Sequence, residues 1–246
     1  MALAPYALGG FILLAYTLEA VTGFGSVVIA LSLGALLLPI DQLLPILVPL
    51  NICMTGYLVH RHWRQIDHRL LLGTLLPGML IGTLLGYWLL PYLDTHALKV
   101  GFGALIIWFA GRELWRLRRV SALPQRPTWL TRLITLAAGL SHGLFASGGP
   151  LLVYGLAGTQ LDKARLRATL VTVWFTLNSL LTLAFLLDGR LLPALPQVLT
   201  YAPLLLLGVW LGERLHRRFD ERHFRLAIYI LLLVTGILLL APWRLP

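Results

Sequence analysis

Charge is scarce in this chain. Only 12% of its 246 residues are Asp, Glu, Lys or Arg, against 58% hydrophobic. That balance excludes an ordinary water-soluble domain, because the apolar surplus must face lipid. Cysteine is nearly absent as well. The single Cys53 rules out an intrachain disulfide and a thiolate metal cluster, and its place in an apolar run predicts a small buried hydrophobe. There is no Walker-type phosphate loop and no His-Glu-x-x-His helix, which excludes an ATP-driven pump and a zinc hydrolase of that type. His60, His62 and His68 gather in a basic loop, where solvated side chains are expected rather than ligands. No metal or cofactor is expected. No basic stretch precedes the first apolar run, which also outlasts a signal-peptide core, so the first segment is expected to be retained.

Long apolar runs take the place of charge. Residues 1–18, 20–40, 42–60 and 70–93 carry no Asp, Glu, Lys or Arg, and about 20 such residues cross the hydrocarbon core of a bilayer. Apolar runs between charged or Pro/Gly boundaries give segments near 5–38, 43–60, 70–91, 97–115, 130–158, 166–187, 197–213 and 224–242. The first is too long for one helix across a core of about 30 Å, and Thr22-Gly23-Phe24-Gly25-Ser26 interrupts it. The fifth is interrupted by Ala146-Ser147-Gly148-Gly149-Pro150. Glycines loosen a helix and Pro150 suits the first turn of a new one, so both segments read as re-entrant hairpins of two half-helices.

The halves match at a nearly constant offset of 126 residues, which pairs Pro77, Gly82 and Gly86 with Pro203, Gly208 and Gly212, Asp94 with Asp220 and Lys99 with Arg225. Residues 1–122 and 123–246 are accordingly expected to be two repeats within one membrane domain. Charge sets their orientation. Eight simple crossings would place eleven and nine of the twenty Lys and Arg residues on opposite sides, which fails the positive-inside rule. With 130–158 entering and leaving on one side, seventeen of the twenty share that side, and only Lys99, Arg190 and Arg244 do not. The expected fold is an all-α polytopic membrane protein of two inverted repeats, each a re-entrant hairpin plus three transmembrane helices. Secondary transporters are built this way. The formal charge of +10 falls in short clusters that orientation explains, so the bilayer, not nucleic acid, is the expected partner. Self-association is compatible with the sequence.

Each break frees the N–H groups of the half-helix that follows, and such termini suit an anion. Thr22, Gly23, Phe24, Gly25 and Ser26 at the first break, with Ser147, Gly148 and Gly149 at the second, are candidate binding residues. Close helix packing is the competing role for the glycines, and the preferred one for Gly78, Gly82, Gly86, Gly208 and Gly212. Glu19 and His142 precede the breaks within apolar sequence, where ionisable groups are costly and by default functional. They are candidate proton carriers, or else a neutral hydrogen-bonded acid and a structural donor. Asn51, Asn178, Thr172 and Thr176 line a cavity on one reading and bond between helices on the other. Trp63, Trp88, Trp115, Trp129 and Trp243 fall near segment ends as an interfacial belt. Trp108, Trp174 and Trp210 lie deeper, and Trp174 shares a helix with Asn178 and is a candidate lining residue.

The stretches Glu19-Ala20-Val21-Thr22-Gly23-Phe24-Gly25-Ser26, Gly139-Leu140-Ser141-His142-Gly143 through Ser147-Gly148-Gly149-Pro150, and Asp162-Lys163-Ala164-Arg165 through Asn178 resemble the sulfite exporter TauE/SafE family over essentially the whole chain. The resemblance implies transport, usually outward, of sulfite, sulfonates or other small organic anions across the bacterial inner membrane. The residues alone lead to an anion transporter with alternating access at a midplane site between the half-helix N-termini. A membrane-embedded scaffold or assembly protein is the alternative. An enzyme is disfavoured, since Glu19 and His142 are a thin constellation for catalysis.

Overall fold

The computed structural model describes residues 4–22, 25–117, 127–156, 162–216 and 221–241, which are helical apart from short connections. The first apolar segment is two helices, α1 (Ala4–Thr22) and α2 (Ser26–Gly34). A long helix α3 (Ile40–His62) follows. Next comes a continuous helical stretch made of α4 (His68–Leu70), a π-helical turn Leu71–Leu75 and α5 (Leu76–Leu89), and then α6 (Thr95–Leu117). The order recurs in the second half with α7 (Thr128–Phe145), α8 (Gly149–Gly155), α9 (Lys163–Leu187), α10 (Leu191–His216) and α11 (Glu221–Leu240). Among the described residues, four helical stretches are long and apolar enough to cross a membrane: Ile40–Gln65, His68–Tyr92, Ala164–Leu187 and Leu191–Gly212.

Local chemistry explains several boundaries. Asp94 accepts a hydrogen bond from Ala97 N at 2.6 Å and Asp162 one from Ala164 N at 3.2 Å, so each caps the helix it precedes. The paired Asp220 lies outside the described residues. Gly25 ends the first break with φ 102°, a left-handed conformation that side chains with a Cβ resist. The second break turns at Ala146, with φ 49°.

Two compact units emerge from the contacts. One comprises Met1–Leu43, Leu93–Ser121 and Tyr201–Pro246, the other Leu44–Tyr92 and Ala122–Thr200. In the first, α6 and α11 approach closely, so that a Cβ on Gly103 would stand 3.1 Å from the Gly236 oxygen. There too α10 meets α1: a Cβ on Gly208 would lie 3.0 Å from Tyr16 Cβ. In the second unit α5 and α7 interlock. A Cβ on Gly82, Gly86, Gly139 or Gly143 would come within 2.2–2.5 Å of a carbonyl oxygen of the facing helix. Thr83 Oγ1 donates across this seam to Gly139 O at 3.3 Å. Small residues bring helix backbones together in lipid, where packing and not water exclusion drives association. Gly82 and Gly208, paired by sequence, thus both seat a helix against a segment that leads into a break.

Many large apolar side chains are exposed. Trp63, Trp88, Trp115 and Trp129 are exposed, and so are Trp108 and Trp210, as side chains facing lipid are; Trp243 lies outside the described residues. Cys53 corrects the sequence expectation, because it is exposed on α3 and not buried. An apolar residue need not seek the interior when the surrounding solvent is hydrocarbon.

Candidate functional site

The second break lies in one unit and its surroundings can be followed atom by atom. Helix α7 closes with Ala146 N donating to His142 O at 2.7 Å, and Ser141 Oγ reaches over the break to Ser147 O at 3.1 Å. Ser147 Oγ donates to Phe145 O at 2.9 Å, so its hydroxyl serves the turn. Gly148 is held by space: a Cβ there would stand 2.4 Å from Ala138 O, 3.0 Å from His142 Cβ and 3.1 Å from Met79 Cε. Gly149 is different. A Cβ there would meet only Trp174, at 3.6 Å and 3.9 Å from two carbons of its benzo ring.

Trp174 stacks on His142, with centroids 5.7 Å apart and planes 23° from parallel. One turn further along α9, Asn178 donates through Nδ2 to Asn51 Oδ1 of α3 at 2.7 Å. Asn178 is also a polar neighbour of the His142 ring, although no hydrogen bond closes between them. His142, Asn178 and Asn51 are all buried. Both ring nitrogens of His142, Asn178 Oδ1 and Thr182 Oγ1 lack partners, which is uncommon for buried polar atoms. The structure therefore brings together His142, Gly148, Gly149, Trp174, Asn178 and Asn51.

Thr172 and Thr176 stand apart from this group. Their hydroxyls donate one turn back, to Ala168 O and Thr172 O, each at 2.9 Å. At about 100° per residue they project from the side of α9 opposite Trp174 and Asn178. Thr182 was not singled out in the sequence, yet Trp174, Asn178 and Thr182 recur every fourth residue, a spacing that places them on one face.

The first break belongs to the other unit. Gly23 and Phe24 lie outside the described residues, and only the helical backbone of Thr22 is described. Glu19 is 2% exposed near the end of α1, and Ser26 opens α2, all nine residues of which are buried. Among the described residues no group of three His, Cys, Asp or Glu side chains could hold a metal ion.

A second polar cluster, not foreseen from the sequence, joins α5 to the turn after α9. Tyr87 Oη bonds to Asp188, while Arg190 Nη2 donates to Tyr87 Oη at 2.7 Å and to Asp188 Oδ2 at 2.6 Å. Burial pushes the Asp188 carboxyl up, but the hydrogen bonds from Arg190 and Tyr87 outweigh it and hold the group below its usual value. The guanidinium also lies over the Tyr87 ring at 5.2 Å and the Phe185 ring at 5.1 Å.

The model of the sulfite exporter TauE/SafE family matches residues 8–239, both breaks included. The chain belongs to this family. Membership makes it a membrane transporter of the sulfite-exporter type and not an enzyme. It is 29% identical over 188 residues to the "Probable inner membrane transporter protein TsaS" of Comamonas testosteroni, covering 74% of this chain and 77% of that protein. To the "Probable sulfite/organosulfonate exporter TauE" of Cupriavidus necator it is 25% identical over 236 residues, covering 91% of this chain and 89% of the relative. No solved structure matches the chain significantly.

Proposed function

We propose that this TauE/SafE-family protein exports a small oxyanion of the sulfite or organosulfonate class across the bacterial inner membrane. The observation that carries the reading is the buried cluster at the second break, where His142 and Asn178 keep polar atoms without partners beside Gly149 and Trp174. A buried polar atom left unserved costs about 1–3 kcal/mol. A ligand that arrives and departs explains why this chain tolerates that cost. The half-helix α8 has seven residues, so side chains carry more of the recognition here than a helix dipole does. Ser147, Gly148 and Gly149 shape the turn of the second break.

Transport proceeds by alternating access of two inverted repeats, 1–122 and 123–246, with a proton carried by Glu19 or His142. The recurring element order and the like use of Gly82 and Gly208 support the repeats. The names borne by the two relatives support the substrate class and the membrane.

The test is anion flux in liposomes containing the purified full-length protein. Sulfite, sulfoacetate, thiosulfate and small carboxylates are screened first by thermal stabilisation, because a ligand that binds only the folded state raises the melting temperature. Saturable sulfite or sulfonate flux above empty liposomes is expected. Absence of both stabilisation and flux across the panel refutes the reading.

A further inference from the structure

The polar atoms around the second break do not balance, and the imbalance describes the missing partner. Asn178 Nδ2 is committed to Asn51 Oδ1 at 2.7 Å, which directs the Asn178 carbonyl oxygen to the other side of its amide. That oxygen can only accept, and it has no donor. The neighbouring His142 ring has two nitrogens without partners. A singly protonated imidazole offers one N–H and one lone pair, and its hydrogen bonds decide which nitrogen has which. Asn178 Oδ1 is the acceptor available to that N–H once a ligand engages the ring; the bond is open in this structure. The opposite nitrogen is then an acceptor, and at 1% exposure for His142 no bulk water serves it.

A doubly protonated ring would need a counter-ion. The elements packed around it within the unit, α5, α8, α9 and the turn after α9, together with its own helix α7, bring Tyr87, Tyr154, Arg165, Arg167, Asp188 and Arg132 as described titratable groups. None of these is hydrogen-bonded to a ring nitrogen. Tyr87 and Asp188 are bonded to each other and to Arg190.

We propose that the second break binds an oxyanion carrying its own hydrogen-bond donor, an acid O–H, an alcohol or an ammonium group. His142 accepts that donor, and Asn51 and Asn178 are positioning residues that fix the ring in the accepting tautomer. The inference rests on the transport reading above and narrows it from any small oxyanion to the hydrogen-bearing form. Trp174 stacks on one face of the imidazole, and a Cβ on Gly149 would meet only the indole, in ordinary contact at 3.6 Å. A site built around a hydrogen bond rejects the analogue that lacks it far more strongly than an apolar pocket rejects a missing methylene.

The test pairs two sulfonates that differ by one hydroxyl, ethanesulfonate and 2-hydroxyethanesulfonate, on the full-length protein in detergent and in liposomes. We expect the hydroxylated probe to bind at least about tenfold more tightly. Sulfite binding should follow the hydrogen sulfite fraction and weaken as pH rises. His142→Phe keeps an aromatic ring against Trp174 and removes both nitrogens; the preference between the probes should collapse to within about twofold and the pH dependence of sulfite binding should flatten. Asn178→Leu should behave likewise. Equal binding of the two probes by the wild type overturns the proposal while leaving the transport reading intact. So does a preference or pH slope that survives in folded His142→Phe. No binding or flux of any oxyanion overturns both.

Discussion

Adjacent glycines in the second break have different reasons to be glycine, and replacing each separates packing from binding. A Cβ at Gly148 would stand 2.4 Å from a backbone oxygen, inside the 3.0 Å that real Cβ contacts respect. Two buried segments must move apart by more than half an ångström to admit it. Overpacking of this kind costs about 1–3 kcal/mol. A Cβ at Gly149 finds ordinary contact at 3.6 Å, and alanine improves on glycine in a helix by up to about 1 kcal/mol. With about 2–4 °C in melting temperature per kcal/mol for a chain of this size, Gly148→Ala should melt several degrees below wild type. Gly149→Ala should match wild type or exceed it slightly. Sulfite flux should follow a different order, because the Gly149 substituent enters the space beside Trp174: Gly149→Leu should stay folded and lose most of its flux. Tryptophan fluorescence melting in one detergent and liposome flux on the same preparations give both readouts. The reasoning fails if Gly148→Ala melts with wild type, or if folded Gly149→Leu transports normally.

At the α5–α7 seam, Gly82→Ala would put a Cβ 2.2 Å from Leu136 O, while Gly73 has nothing within 4 Å. The first should cost about 3 kcal/mol or more and lower the yield of folded protein, and Gly73→Ala should leave the melting temperature unchanged. The depressed Asp188 carboxyl contributes stability that is present above the ordinary carboxylate value and is lost only as pH falls through its lower folded value. With side chains 34% and 30% exposed, the Asp188–Arg190 pair is worth about 1 kcal/mol after solvent screening. Asp188→Asn should therefore melt slightly lower than wild type by a constant margin from neutral to mildly acidic pH, a margin that closes only in strong acid. If Glu19 carries the coupling proton, Glu19→Gln should retain sulfite exchange at equal pH and lose the acceleration by a pH gradient, measured in the same liposomes; if His142 carries it, the gradient response should survive.

The features legible in the sequence were those that local chemistry writes. The long apolar runs announced helices, and the glycine-rich stretch Ala146–Pro150 announced the end of α7 and the start of α8; each reads at its own position. Partners were not legible. Gly82 announces a close approach, but only the fold names α7 as the helix that approaches. The Tyr87–Asp188–Arg190 cluster joins residues about a hundred positions apart. Grouping Thr172, Trp174, Thr176 and Asn178 by helix did not resolve them by face, although a separation of two residues sets side chains roughly opposite each other. Cys53 was misread for a physical reason: burial rules learned in water fail on a surface that faces lipid.

His142 holds its place at a cost in stability. Its ring stacks on Trp174 and fills its space, yet both nitrogens are buried without partners. If the residue were structural, a phenyl ring would do the same packing without a polar atom to strand. Removing an unserved buried donor or acceptor recovers part of the 1–3 kcal/mol that stranding it costs, in contrast to cutting a satisfied bond. His142→Phe is therefore expected to melt at or above wild type, by about 2–4 °C for each kcal/mol regained, while losing its discrimination between oxyanions. Stability rising as function falls is what strain held for binding produces. A His142→Phe variant several degrees less stable than wild type would show that the ring nitrogens are satisfied in the membrane, and the binding role assigned to His142 would fall with it.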